Sequence, residues 1–217
     1  SEDICSFYLH PHDGMPLPSF HPGQYLSIQI KHPEQNKKIM RCYSLSDSHS
    51  PAYYRISVKK ESDGLVSRFL HEQLQVGDII EAKAPSGDFY LDVANKQPLV
   101  LIASGVGITP MISIINTLKA QSDTREVHLF YGVRNGAQIM MKDYLQQLAQ
   151  ALPHFQLHLC YSKPTDEDSD YQHQGRVNID LLRSTLPASN YHYYLCGSMA
   201  MMQDLSDALK AWGVPDA

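Results

Sequence analysis

The sequence predicts two domains: an antiparallel β-sheet or small β-barrel over residues 1–96, and an α/β domain with a parallel sheet over residues 97–217. Before residue 96, short segments of alternating apolar and polar residues are separated by turn clusters, which is typical of antiparallel strands. After it, strands alternate with helical segments, and this order favours a parallel sheet covered by helices. A chain of 217 residues has room for two domains of roughly 100 residues each.

Five strands are expected in the first domain. They are ICSFYL at 4–9, QYLSIQIK at 24–31, RCYSLS at 41–46, YYRISVKK at 53–60 and DIIEAKA at 78–84. One segment breaks the alternation, because GLVSRFLHEQL at 64–74 has Leu65, Phe69 and Leu70 at helical spacing. It predicts a short helix that caps the barrel.

The second domain is expected to alternate strands with helices. The strands are residues 99–103, 126–133, 155–162 and 192–197, and the helices are residues 109–121, 140–152, 178–186 and 199–212. The segment KPTDEDSDYQHQ at 163–174 is polar, acidic and without periodicity. We therefore expect it to be a solvated loop.

The composition argues against several classes of function. A net charge of −5 and a pI near 6.1, without a block of Lys or Arg, disfavour binding to nucleic acid or to a membrane surface. The longest apolar runs, such as residues 99–103, are far shorter than the roughly 20 residues that span a bilayer. The N-terminal stretch lacks the pattern of a signal peptide. We therefore expect a cytoplasmic protein.

The cysteines and histidines predict no metal site. Cys5, Cys42, Cys160 and Cys196 are widely spaced and form no C-x-x-C motif, which argues against a structural zinc or an iron–sulfur cluster within this chain. The 11 histidines are scattered, and His10, His12 and His192 are expected to be surface or strand residues rather than metal ligands.

A glycine turn follows the first strand of the second domain. The strand PLVLIA is followed at once by SGVGITP and by a helix expected to start near Pro110. In a doubly wound sheet this turn holds a dinucleotide pyrophosphate, because Gly105 and Gly107 let backbone N–H groups approach the phosphates at the positive end of the helix. The motif lacks the third glycine of the usual fingerprint. An ordinary tight turn is the alternative.

The third strand of the first domain carries a second candidate site. Arg41 and Tyr43 are two residues apart, so a strand directs both side chains to one face. The guanidinium suits a phosphate, and the phenol ring offers a surface on which a flat ring stacks. Ser44 adds a small hydroxyl that suits a ring nitrogen. Together they predict a nucleotide with a flat heteroaromatic ring; an ordinary strand is the alternative.

The chain resembles the ferredoxin–NADP reductase superfamily, whose R-x-Y-S/T signature is matched by Arg41-Cys42-Tyr43-Ser44. The resemblance covers essentially all 217 residues. Further motifs in the same order are PGQY at 22–25, YRISVKKE at 54–61, GLVSRFLHEQLQVGD at 64–78, APSGDF at 84–89, IASGVGITPM at 102–111, LFYGVRN at 129–135 and YLCGSMAMM at 194–202. Within the superfamily the chain is most similar to the reductase portion of flavohaemoproteins and to oxygenase-type NADH reductases.

The resemblance implies an FAD-binding barrel followed by a nicotinamide-binding domain. It implies that Arg41 contacts the flavin pyrophosphate, that Tyr43 stacks on the isoalloxazine and that Ser44 hydrogen-bonds near flavin N5. The implied FAD-binding residues are Tyr25, Arg41, Cys42, Tyr43, Ser44, Val58, Lys59, Gly64, Val66 and Ser67. Of these, Val66 and Ser67 offer backbone N–H groups at the start of the capping helix, which also favours phosphate on physical grounds.

For nicotinamide binding the resemblance implies a second set of residues. They are Gly105, Val106, Gly107, Ile108, Thr109, Pro110, Arg134, Cys196 and Gly197. Thr109 is placed near the meeting point of nicotinamide and flavin, and Cys196 close to the reacting rings, so that Ser44 and Cys196 are the implied catalytic residues. Tyr25 as a packing residue, Lys59 as a solvated charge and Cys196 as a small core residue are the alternatives.

Two departures from the family pattern concern the C-terminal part. Where many relatives have C-G-P, this chain has Cys196-Gly197-Ser198, which is expected to loosen the turn. The family usually continues past the last helix into a final strand, whereas this sequence stops at WGVPDA. We therefore expect a piece of a longer protein, with a globin domain upstream or a ferredoxin-like domain downstream.

The implied function is a flavin-dependent NAD(P)H oxidoreductase module that passes electrons to a haem, an iron–sulfur centre or another one-electron acceptor. NADH is favoured over NADPH because Arg134 stands without a basic cluster that would hold a 2′-phosphate. Two alternatives stay open: a flavin reductase that releases reduced flavin, and a non-catalytic nucleotide-binding subunit.

Overall fold

The structure is a computed structural model that describes residues 3–31, 37–187 and 190–215. Its internal contacts divide the chain into two units. The first comprises Glu2–Val93 and Thr109–Asp123, and the second comprises Ala94–Ile108 and Thr124–Ala217. The domain boundary at residue 96 stays a prediction, because the first helix of the predicted second domain groups with the first unit.

Antiparallel strands build the first unit, as the sequence predicts. They are β1 (Ile4–Leu9), β2 (Tyr25–Lys31), β3 (Lys38–Ser44), β4 (Tyr54–Lys59) and β5 (Glu81–Ala82). β1 pairs with β4, while β2 lies between β3 and β5. A bridge between Leu45 and Ile56 joins the segment after β3 to β4 and connects the two sheets.

One hydrophobic core lies inside this unit. The side chains of Leu26 and Ile56 have no exposed surface. Helix α1 (Leu65–Glu72) adds Val66 and Leu70 to the same cluster. Its bounds confirm the short helix that the spacing of apolar residues predicts.

The predicted strand at residues 78–84 is wrong in length. Only Glu81–Ala82 forms β5, and it pairs with Ile28 and Gln29 alone. Ile79 is 68% exposed. Apolar and polar residues alternate in this segment, but most of it has no partner strand. A strand requires cross-strand hydrogen bonds, so the alternation alone does not produce one.

The second unit contains a parallel sheet of five strands in the order β10-β6-β7-β8-β9. The strands are β6 (Leu99–Ser104), β7 (Val127–Val133), β8 (Phe155–Tyr161), β9 (His173–Gln174) and β10 (His192–Cys196). The remaining helices of the chain are α2 (Ile108–Ala120), α3 (Lys142–Ala151), α4 (Ile179–Thr185) and α5 (Met199–Ala211). None of the helices in the described ranges has the length and apolar character of a membrane span.

The strand order reverses at β6. After β6 the chain adds β7, β8 and β9 on one side, and it returns to place β10 on the other side. Residues 99–103 of β6 are fully buried, which fits a central strand covered on both faces. The carboxyl ends of β6 and β10 therefore form a topological switch point, where open α/β sheets bind ligands.

The acidic segment at 163–174 is more ordered than a solvated loop, so that prediction is wrong in part. Asp168 accepts hydrogen bonds from the backbone N–H groups of Gly136 and Thr165, at 3.0 and 2.7 Å. Asp170 accepts from the Tyr161 hydroxyl at 3.2 Å and pairs with Lys142 at 2.7 Å. These carboxylates attach the segment to the ends of β7 and β8.

Two histidines lie in the interior of the parallel sheet. His128 and His158 are 1% and 9% exposed, and Nδ1 of His128 lies 3.1 Å from Nε2 of His158. Glu126 Oε1 lies 2.8 Å from the other ring nitrogen of His128. Burial, together with the neighbouring His128 and His173, lowers the pKa of His158 to about 4. Both histidines are therefore core residues of strands, and the sequence pattern did not single them out.

We expect the stability of the protein to fall as the pH drops from about 6.5 to about 4. In that interval the unfolded chain protonates residue 158 and the folded chain does not, so the contribution lost is about 1–3 kcal/mol. Urea unfolding at pH 7 and pH 5 measures it. His158→Gln is expected to flatten the dependence, whereas exposed His12→Gln leaves it unchanged. An unaltered pH slope in His158→Gln contradicts the assignment.

Candidate functional site

The pairing of β2 with β3 places Arg41 and Tyr43 on one face, as the sequence predicts. Arg41 lies opposite Ile28, and Tyr43 lies opposite Leu26. Residues that face each other across an antiparallel pair project to the same side of the sheet. Since Leu26 and Ile28 are core residues, Tyr43 packs against the edge of the core while Arg41 extends to the surface.

The guanidinium of Arg41 is available to an anion. Its Nη1 donates to the carbonyl of Met40 at 2.8 Å, and no carboxylate of the described residues pairs with it. Tyr43 is half-buried; burial raises the pKa of its phenol, and the positive charge of Arg41 opposes that shift. The phenol therefore stays neutral, next to an unpaired cation. This combination fits a phosphate attached to a flat ring.

Tyr25, Cys42 and Ser44 lie on the other face of the same strands. Tyr25 is directly opposite Ser44, and Cys42 Sγ lies 3.5 Å from the hydroxyl oxygen of Ser27. The Tyr25 ring occupies space that Gly87 leaves open, because a Cβ at Gly87 would lie 2.7 Å from Tyr25 Cε1. The structure therefore brings Tyr25 and Ser44 together and fixes the ring of Tyr25.

The start of α1 carries backbone donors. Gly64 is the N-cap residue, and no side chain caps the helix. The first turn contains no acidic residue. The N–H groups of Val66 and Ser67 have no acceptor within the helix, because they precede its first complete turn. Such groups suit an anion on physical grounds, and their contact with the FAD phosphate stays a prediction.

Val58 and Lys59 show different environments at the end of β4. The side chain of Val58 is 1% exposed in the core, and its carbonyl accepts a hydrogen bond from Nε2 of His71 at 2.9 Å. Lys59 is exposed and lies 3.4 Å from a carboxylate oxygen of Glu61. The side chain of Val58 is therefore a core residue, and Lys59 is a solvated charge that is already paired.

The glycines of the switch point allow β6 and β10 to approach each other closely. Gly105 has φ +51°, a left-handed conformation that favours glycine. A Cβ at Gly107 would collide with the backbone carbonyl of Cys196, and a Cβ at Gly197 would collide with the hydroxyl of Ser104. Glycine is therefore required at both ends of this contact, and the structure brings the predicted turn and Cys196 together.

Ser198 strengthens the turn after β10 instead of loosening it, so that prediction is wrong. Its N–H donates to the hydroxyl oxygen of Ser104 at 3.2 Å. Its own hydroxyl caps α5 by accepting from the N–H of Met201 at 3.3 Å. A proline has no N–H and no hydroxyl, so it would provide neither bond.

The helix after the glycine turn starts earlier than the sequence predicts. It begins at Ile108, directly after a short 3-10 turn at Gly105–Gly107, so Pro110 is its third residue rather than its first. The position is still compatible with proline, because the first four N–H groups of a helix have no helical acceptor. Thr109 is 4% exposed and Val106 is 44% exposed.

Cys196 and Arg134 complete the predicted set. Burial raises the pKa of the Cys196 thiol, so it stays protonated and is no nucleophile at neutral pH. Arg134 is exposed after β7, and the structure shows no carboxylate among the described residues within ion-pair distance of it. Its carbonyl accepts from the N–H of Lys163 at 2.8 Å. Arg134 and Lys163 are far apart in the sequence, so the sequence pattern did not indicate that they are neighbours.

Tyr131 supports the glycine turn and was missed by the sequence analysis. It is fully buried, donates to the carbonyl of Gly105 at 3.0 Å and accepts from the N–H of Met140 at 3.2 Å. Burial raises its pKa. The only sequence signal was a tyrosine near the end of an otherwise apolar strand, which core packing explains equally well.

The chain matches two family models, the oxidoreductase FAD-binding domain over residues 1–90 and the oxidoreductase NAD-binding domain over residues 101–207. It is also similar to the solved FAD/NAD-binding domain of nitric oxide dioxygenase from Vibrio cholerae, with 35% identity and a TM-score of 0.87. That match covers 98% of this chain and 89% of the other. The chain belongs to the FAD- and NAD-binding oxidoreductase modules of the ferredoxin reductase type.

Two further relatives of this reductase module have different printed names. A flavohaemoprotein of Halalkalibacterium halodurans is 38% identical over 100% of this chain and 55% of its own length. Phthalate dioxygenase reductase, described as transferring electrons from pyridine nucleotides to 2Fe–2S, is 28% identical with a TM-score of 0.73 and covers 97% of this chain and 61% of its own. The reductase module therefore spans about half the length of the curated relative.

The residues of the module fit its two cofactors. Unpaired Arg41, half-buried Tyr43 and the open N-terminus of α1 suit FAD, and the glycine turn at Gly105–Gly107 suits a dinucleotide phosphate. No group of three or more His, Cys, Asp and Glu side chains within the described ranges is arranged to hold a metal ion.

We expect Gly107→Ala to reduce stability by about 2–3 kcal/mol, because its Cβ would press on backbone that cannot move aside cheaply. Gly105→Ala is the matched control: its Cβ has open space and costs only the left-handed conformation, about 1–2 kcal/mol. Chemical denaturation compares the two. Equal stability of Gly107→Ala and the unaltered protein contradicts the close contact with Cys196.

Proposed function

We propose that this module oxidises NADH, with FAD as the cofactor, and passes electrons singly to a haem or iron–sulfur acceptor. FAD supplies the redox chemistry, because it accepts a hydride and releases single electrons. The printed names of the relatives support these two classes of acceptor. The single observation that carries the proposal is the unpaired guanidinium of Arg41 beside the half-buried ring of Tyr43.

The chain's own residues bind and orient. Arg41 and the N–H groups of Val66 and Ser67 neutralise phosphate charge, and Tyr43 gives the flat ring a stacking surface. Ser44 donates a hydrogen bond near flavin N5 and thereby tunes the reactivity of that nitrogen. None of these roles needs an acid–base pair. This agrees with the Cys196 thiol, which burial keeps protonated by raising its pKa. Cys196 then acts by aligning the nicotinamide rather than by chemistry.

The second region binds the pyridine nucleotide in this proposal. The glycine turn and the N-terminus of α2 hold the pyrophosphate, and Thr109 lies beside the nicotinamide. The domains are residues 1–96 for FAD and residues 97–217 for nicotinamide. The open space beside Gly105 supports the phosphate position, because a Cβ placed there would meet no other atom within 4 Å.

NADH rather than NADPH is the proposed reductant. A 2′-phosphate needs several cationic side chains, and Arg134 offers one. The N–H of Lys163 donates to the carbonyl of Arg134, so Arg134 and Lys163 are both candidates for discriminating between NADH and NADPH. A preference for NADPH above about tenfold in kcat/KM, which corresponds to about 1.4 kcal/mol, overturns this choice.

The cytoplasm is the proposed location. All four cysteines are free, which is usual where thiols are kept reduced.

A direct experiment tests the oxidoreductase activity. The purified protein is first reconstituted with FAD and then mixed with NADH under argon. The proposal expects a yellow protein that bleaches, with electrons appearing on an added one-electron acceptor. A protein that takes up no FAD supports a non-catalytic subunit. Loose FAD, with rapid turnover only when free flavin is added, supports a flavin reductase that releases its product.

We expect Arg41→Ala to weaken FAD binding about 10- to 100-fold, because charge-assisted hydrogen bonds contribute about 1.5–3 kcal/mol. Arg41→Lys is expected to recover part of the loss, since the ammonium keeps the charge without the fork. Lys38→Ala is the matched control, because it removes one exposed cation from the same strand. Fluorescence titration with FAD compares the variants. Equal affinity of Arg41→Ala and Lys38→Ala contradicts the phosphate role.

A further inference from the structure

Asp47 is the centre of a hydrogen-bond network in the first unit. It lies three residues after Ser44 in the chain. The side chain of Asp47 is 16% exposed, and the side chain of its partner Arg55 is 14% exposed. Nη1 of Arg55 lies 3.3 Å from Oδ2 of Asp47. The Tyr53 hydroxyl donates to the same oxygen at 3.3 Å. Two groups of the antiparallel sheets therefore hold one side of the carboxylate.

Helix α2 holds the other side. Nδ2 of Asn116 donates to Asp47 Oδ1 at 2.7 Å. The hydroxyl of Ser113 donates to the backbone carbonyl of Asp47 at 2.8 Å. Ser113 and Asn116 are three residues apart, so they lie on one face of the helix. Both are buried, with 0% and 9% of their surface exposed.

This network explains why α2 groups with the antiparallel unit. A carboxylate removed from water is costly unless each oxygen is paired. Oδ2 is paired by Arg55 and Tyr53, while Oδ1 accepts both from the N–H of Ser48 at 2.9 Å and from Asn116, so the helix supplies one of the donors to this mostly buried carboxylate. The Asn116 bond is short and goes to a charged group, and such bonds contribute about 1.5–3 kcal/mol. The arrangement is therefore a fixed attachment and not a chance surface contact.

The attachment lies between the two segments that carry the proposed site residues. Tyr43 and Ser44 lie four and three residues before Asp47 along the chain, and Thr109 lies about two turns before Asn116 on α2. A displacement of either segment would change the distance between these residues. Hydride transfer depends steeply on such distances.

We propose that Asp47 is a positioning residue for hydride transfer, acting through its hydrogen bonds to Asn116 and Ser113. The inference rests on the proposed function. Asp47 touches neither nucleotide in this account. It fixes the strand end that bears Tyr43 and Ser44 to the helix that bears Thr109, and so sets the reacting distance.

The test uses Asn116→Ala in the FAD-loaded protein. At saturating NADH we expect the rate of flavin bleaching to fall about tenfold, since a misplacement of about 1 Å can cost more than that. The affinity for FAD is expected to change less than about twofold, because no phosphate contact is removed. Thr117→Val is the matched control, as its hydroxyl bonds only to the Ser113 carbonyl of the same helix. It is expected to bleach at the unaltered rate.

Hydrogen exchange of the protein without FAD gives an independent readout. Asn116→Ala is expected to speed exchange in peptides covering 41–52 and 109–121, and Thr117→Val is not. If Asn116→Ala does not fold, Ser113→Ala removes only the bond to the Asp47 carbonyl and takes its place.

The outcomes separate this inference from the proposed function. If the unaltered protein binds FAD but NADH does not bleach it, the proposed function fails. If the unaltered protein bleaches and Asn116→Ala or Ser113→Ala bleaches equally fast, the positioning role fails. Slower bleaching accompanied by an equal loss of FAD affinity also overturns it, because that result indicates general damage.

Discussion

The antiparallel pairing of β2 with β3 is the constraint on which the candidate site depends. It places Arg41 and Tyr43 opposite two core residues, Ile28 and Leu26. A slip of one residue would move both side chains to the other face of the sheet. Burial of the β2 side chains therefore selects the register, and the register in turn presents an unpaired cation beside a half-buried ring. Packing energy in the core thus positions the binding groups.

Glycine performs the corresponding task in the parallel sheet. At the switch point β6 and β10 approach so closely that Gly107 and Gly197 leave no room for a Cβ. The hydroxyl of Ser104 then bonds to the N–H of Ser198, while buried Tyr131 holds the carbonyl of Gly105. The proposed phosphate site thus depends on backbone geometry and on neutral hydrogen bonds at this turn.

Sequence periodicity predicted most of the elements but not the contacts between them. The apolar spacing predicted α1 and the order of strands and helices, because burial imposes those periods on the sequence. It overextended β5 to residues 78–84, since alternation does not reveal whether a partner strand exists. Arg41 and Tyr43 were found because they lie two residues apart. Asp47 and Asn116 were missed, because their hydrogen bond joins residues 69 positions apart.

The most direct test is a crystal structure of the chain with FAD bound. We expect the isoalloxazine ring to lie against the phenol of Tyr43, with the pyrophosphate within hydrogen-bond distance of the Arg41 guanidinium and of the α1 N-terminus. A flavin bound elsewhere, or Arg41 and Tyr43 both directed away from the nucleotide, contradicts the central claim that one face of a paired strand holds the cofactor.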